Sequence, residues 1–199
     1  DNDDSGDLAF IGGGVDNAAT GAKSVIGGGE NNIANETYSS ILGGFNNIAS
    51  GYTSTVGGGY LNLASGEDST ISGGSGNIAS GPDSTVGGGH VNVASGERST
   101  VSGGRDNVAS GNDSTMGGGW HNEATGVYST VSGGAANTAS GTDSTVGGGY
   151  DNTAFGDGSF VGGGSGNTAK GEYSIAMGKN AKAEADHSCV INLLPDEKV

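Results

Sequence analysis

Small apolar and small polar residues follow one another along this chain in an order that restarts every fifteen residues. One copy reads Val56-Gly57-Gly58-Gly59-Tyr60-Leu61-Asn62-Leu63-Ala64-Ser65-Gly66-Glu67-Asp68-Ser69-Thr70, and the same order begins again at Ile71, Val86 and Val101. Counted from that first residue as position one, eleven copies fill Ile11 to Ile175. Position one is always Val, Ile or Met, position seven Asn, position nine Ala and position fourteen Ser. Positions three and four are always Gly, and position eleven is Gly in every copy except at Glu36. A period this strict means one supersecondary unit stacked on itself.

Within a copy the pattern has the two-residue period of extended chain. In Ser69-Thr70-Ile71 the serine and the aliphatic share one face and Thr takes the other; in Asn62-Leu63-Ala64, Asn and Ala oppose Leu. Helix is excluded, because each interior glycine would cost about 1 kcal/mol against Ala. The glycines mark corners, where a left-handed backbone or a close approach leaves no room for a Cβ. The sequence therefore predicts an all-β, single-chain parallel β-solenoid of eleven coils, each of two short strands and two corners. Asn32, Asn47, Asn62, Asn77, Asn92 and Asn107 then form a structural ladder inside it, each side-chain amide bonding the next.

Three columns face outward in this register. Position eight holds Ile33, Ile48, Leu63, Ile78, Val93 and Val108, and turns polar from Glu123 onward. An outward aliphatic ladder of that length predicts a subunit interface. The opposite parity would put these side chains inside the coil. At the first corner, position five alternates bulky and small from Tyr60 to Ser165, broken by Arg105, so a weaker thirty-residue period overlies the fifteen. Steric relief between neighbouring coils accounts for it; the functional reading makes Tyr60, Trp120 and Tyr150 ligand contacts. Position fifteen is a threonine column from Thr55 to Thr145. Its companions Asp68, Asp83, Arg98, Asp113 and Asp143 are charged, which makes ice binding a remote alternative.

Composition narrows the partners. Twenty-two acidic against seven basic residues give a net charge of −15, which disfavours nucleic acid and anionic membranes. No apolar run is long enough to insert in a membrane as a helix. Residues 1–10 read as an acidic N-terminal arm whose Asp1-Asn2-Asp3-Asp4-Ser5-Gly6-Asp7 has only half of a calcium loop. Residues 11–175 are the repeats, and 176–199, where the spacing falls to fourteen and the glycine triplet is lost, a C-terminal cap or docking segment. Its apolar run Cys189–Leu194, stopped by Pro195, predicts a final strand with Cys189 as a buried thiol, the alternative being an interchain bridge or a reactive group.

Ser174-Ile175-Ala176-Met177-Gly178-Lys179-Asn180-Ala181-Lys182-Ala183 resembles the head repeat of trimeric autotransporter adhesins, the YadA-like head. The fifteen-residue copies look like a glycine-expanded version with one more residue at the first corner, so the likeness covers about residues 11–188. The resemblance implies a left-handed β-roll, three chains side by side, and an extracellular or cell-surface adhesive or fibrous role.

Catalytic chemistry is not indicated. His90, His121 and His187 lack partners at metal-ligand spacing, and a serine repeated in every copy is structural rather than a nucleophile. No cofactor is expected; loosely bound calcium at Asp68, Asp83, Asp113 and Asp143 is the alternative to a plain solvated edge. The expected function is an extracellular structural protein, not an enzyme, whose rods self-associate as a homotrimer or longer filament for surface attachment or matrix. The alternative is a module, of adhesin-head or phage tail-fibre type, that binds surface glycans or a host protein.

Overall fold

The computed structural model describes residues 1–193, which are all-β with no helix among them. Two parallel sheets of thirteen and twelve strands form a β-solenoid of about twelve turns. Most coils contribute two residues to each sheet, for example Thr70–Ile71 to the first and Ile78–Ala79 to the second, and the first sheet's strands lengthen from Phe160 onward. Pairing advances one coil at a time: Thr85 lies between Thr70 and Thr100, and Ile78 between Leu63 and Val93. Like therefore stacks on like, and thirteen strands at ~4.8 Å spacing span roughly 58 Å.

The core is the narrow gap between the sheets. Positions one and fourteen enter it from the first sheet and positions seven and nine from the second, so Ile71, Ser69, Asn77 and Ala79 are all fully buried. Each coil inters one sizeable aliphatic side chain, worth about 2 kcal/mol, so polar groups must carry much of the order. Ser69 Oγ donates to Gly66 O at 2.7 Å. The hydroxyls of eight other coils, Ser84 and Ser99 among them, have no partner among the described residues. Ala9 fills the same place at the N-terminal end. Position fourteen thus selects chiefly for a small side chain.

The corners explain the glycines. A Cβ on Gly104, at φ +88°, would collide with the Gly119 carbonyl of the next coil and lie 2.6 Å from Asn107 Nδ2. Position eleven, where Glu36 is the one exception among the eleven copies, favours Gly for close approach alone, since a Cβ on Gly66 would strike Gly81 O. Left-handed backbone is not confined to glycine, however. Twenty-two non-glycine residues have positive φ, and all fall at positions six or thirteen of the coil, including Leu61, Val91, Arg98 and Tyr128. Such geometry costs an L-residue roughly 1–2 kcal/mol. It persists because in twenty of them the N–H donates to the coil before: Asn31 to Val15 O at 3.0 Å, Asp68 to Tyr52 O at 2.9 Å. At the second corner a four-residue turn is closed by Ser54 N–H on Gly51 O, 3.1 Å. Thr53 there takes the third place, where positive φ defines a type II turn.

The coiled path runs past both expected boundaries. Asp3 bridges Ala18, Asn17 bonds Asn2 Oδ1 through both its backbone and side-chain nitrogens, and Leu8 is left-handed like Lys23. Most of the acidic arm is thus a partial coil in register, with Gly6 at position eleven. At the other end, strands Ile175–Lys179, Lys182–Ala183 and Cys189–Asn192 extend the sheets. The fourteen-residue step is absorbed at the first corner, as a register shift between Val161 and Gly163. Cys189 is exposed, not buried as its apolar run suggests, because it pairs with Ile175 and so continues the outward column of position fifteen. The expected end of this strand at Leu194 and Pro195 lies outside the described residues.

Candidate binding surfaces of the solenoid

The asparagine ladder sets the rigidity of everything mounted on it. Asn62 Oδ1 accepts from the Asn77 backbone N–H at 3.0 Å and from Asn77 Nδ2 at 3.1 Å. Asn77 Nδ2 also donates to Gly73 O at 3.0 Å and Gly89 O at 3.1 Å. Amide-to-amide contact is therefore only part of the device. The side-chain carbonyl stands in for a backbone acceptor toward the next coil, and the nitrogen ties down both flanking glycine corners. The pattern recurs at Asn32, Asn47 and Asn107, while Asn92 Nδ2 bonds only Gly88 O and Gly104 O, both at 2.9 Å. Asn167 ends the ladder, its Oδ1 accepting from Ala181 N at 2.8 Å.

Position eight lies on the outer face of the second sheet. Ile48, Leu63, Ile78, Val93 and Val108 form one half-buried stripe with Ile33 more exposed at its end, and Glu123 interrupts it. Thr70, Thr85 and Thr100 stack in the same way on the outer face of the first sheet.

The first corner carries the aromatic groups on a line of parallel bridges at position five. Tyr60, Trp120 and Tyr150 are 46%, 53% and 58% exposed. The backbone brings them to one edge but not to one point, since four coils separate the first two and two coils the last two. Phe45 was not among the residues picked out from the sequence. It stacks on Tyr60 with centroids 5.6 Å apart and planes 6° from parallel. Following position five one coil toward the N-terminus finds it.

The second corner is charged. Arg98 donates from Nε and Nη2 to the two carboxylate oxygens of Asp113 in the next coil, at 2.7 and 2.9 Å, and also bonds Glu97. The forked bond holds Asp113 below the usual carboxylate range and raises Arg98 further. Thr53 bonds Asp68, and Lys23 Nζ donates to Tyr38 OH at 2.9 Å, which raises the lysine. Among the described residues no three His, Cys, Asp or Glu side chains converge as a metal site. His90 and His121 are exposed at the first corner. Compared with known proteins, the sequence matches no protein-family model and no curated protein.

Proposed function

We propose that this chain is an extracellular structural protein whose β-solenoid rods lie side by side, as a homotrimer or a longer filament, in surface attachment or matrix. The observation that carries this reading is the stripe from Ile33 to Val108, a flat aliphatic ladder on an outer sheet face. A second copy would remove it from water along its length, at about 25 cal/mol per Å² buried. The likeness of residues 174–183 to adhesin-head repeats supports the setting. Burial of Ser69, Ser99 and their counterparts at position fourteen supports a role without catalysis.

Sedimentation of the whole chain beside a Leu63→Glu/Ile78→Glu variant tests this. At micromolar concentration the parent should sediment as an oligomer and the variant as a folded species of 19.1 kDa. A parent that is monomeric at micromolar concentration overturns the reading. The exposed rings of Tyr60, Trp120 and Tyr150 favour a second reading, contact with surface glycans. Replacing all three by Ser should then abolish glycan binding with the side-by-side seam intact.

A further inference from the structure

The first corner is a toothed edge, and its teeth fit its own gaps. Positions five and six change size together. Tyr60-Leu61, His90-Val91, Trp120-His121 and Tyr150-Asp151 are exposed pairs. Ser75-Gly76, Ala135-Ala136 and Ser165-Gly166 are half-buried, recessed between their neighbours. From Tyr60 to Ser165 a tooth or a gap thus occurs every coil, except that the exposed Arg105 stands where a gap is due, and the teeth from Tyr60 to Tyr150 recur about every 9.6 Å, twice the inter-strand step. A surface with that pitch is matched by another rod of the same pitch.

We propose that this edge is a self-recognition surface, on which two copies pair antiparallel about a twofold axis between Arg105 and Trp120. That register sets Tyr60 against Ser165, Tyr150 against Ser75 and His90 against Ala135, so each ring enters a gap. Arg105 meets the face of Trp120, a cation–π contact. At position six, Val91 meets Ala136 and Leu61 meets Gly166, while Asp106 faces His121, a carboxylate acceptor opposite a ring N–H donor. Twofold pairing makes each of these contacts twice.

Other registers fail. One coil away in either direction, Tyr150 meets Tyr60 or His90, tooth on tooth. Two coils away, Phe45 meets Tyr150 or Asp106 meets Asp151. A parallel pairing staggered by one coil sets His90 against Arg105. The edge lies on a different part of the coil from the aliphatic stripe, so this pairing is independent of the side-by-side seam. It joins rods that run in opposite directions. Its contact covers on the order of 400 Å² per partner, at the weak end for specific association, so it is assayed at about 100 μM and above.

The test uses the whole chain with the Leu63→Glu/Ile78→Glu changes, which separate this contact from the seam. Sedimentation equilibrium should show dimers. Ala135→Trp plugs the gap that receives His90 and should weaken dimerisation at least tenfold, and His90→Ala added to it should restore most of the loss, as coupled contacts require. In a Cys189→Ser background, chains bearing Ser75→Cys should form disulfides with chains bearing Tyr150→Cys and not with themselves. Monomers at every concentration, an unaffected Ala135→Trp dimer, or crosslinking of Ser75→Cys chains to each other would each overturn the proposal.

Discussion

Removing one rung of the asparagine ladder should unlatch a coil on each side of it. Asn77→Ala is the informative change, because Asn77 lies mid-array and its bonds are all accounted for. Its Oδ1 is the acceptor for the Asn92 backbone N–H at 2.9 Å. Its two amide protons are shared among Asn62 Oδ1, Gly73 O and Gly89 O. The substitution leaves a buried N–H at Asn92 without an acceptor, a cost of about 1–3 kcal/mol, and forfeits bonds worth about 1 kcal/mol per amide proton. A loss of roughly 3–5 kcal/mol follows. Because each coil touches only its neighbours, the effect should be local before it is global. Native-state hydrogen exchange reads it directly: the Asn92 amide should lose on the order of a hundredfold or more of its protection, at tenfold per 1.4 kcal/mol. The amide of Asn167, six coils away, should change little. Loss of protection at Asn92 below about tenfold, under 1.4 kcal/mol, would refute the assignment of its acceptor.

Further outcomes separate the roles of individual residues. Gly104→Ala should destabilise by more than about 3 kcal/mol, from strain at positive φ together with the clash on Gly119 O, whereas Gly103→Ala, with open space around it, should stay within ~0.5 kcal/mol; denaturant midpoints compare them. Val91→Asn should raise stability by about 0.5–1 kcal/mol in the same assay, since Asn tolerates the left-handed backbone that Val91 occupies. The Arg98–Asp113 pair should make its small contribution only above the ordinary aspartate pKa. Asp113 is depressed in the folded chain, so this stability is lost as pH falls through its lowered value, and an NMR titration should find it ionised at pH values where unpaired aspartates are half protonated. Arg98→Gln should return Asp113 to the ordinary range.

How legible all this was depends on whether neighbouring coils or the local sequence decide a residue's state. The coil and its parity could be read because Asn-x-Ala and Ser-x-aliphatic triplets repeat beside glycines that admit no helix. Position eight could be placed outward by the same parity. The left-handed residues could not, because Leu61, Val91 and Tyr128 have no intrinsic preference for that backbone; the bond to the coil before imposes it. The N-terminal coil was hidden because Asp4 and Ala9 stand where later coils have Ala and Ser, leaving Asn2 and Gly6 as the only marks of register. Cys189 was misplaced since an apolar run signals burial only if its register is known. The toothed edge was visible as a thirty-residue alternation at position five. Its recessed gaps needed the structure, which half-buries Ser75-Gly76, Ala135-Ala136 and Ser165-Gly166 between exposed neighbours.

Each asparagine bonds back to the asparagine one coil before and forward to the next coil's glycine, and no side chain in the ladder depends on anything further away. Deleting or duplicating a whole fifteen-residue block therefore rejoins the same buried core, and a thirty-residue block also keeps the order of large and small residues at the first corner, while any other change in length must be taken up at a corner, as happens once beside Gly163. The gene can lengthen or shorten this molecule in fixed graduations without redesigning its core, so that its span becomes a heritable measurement set by copy number.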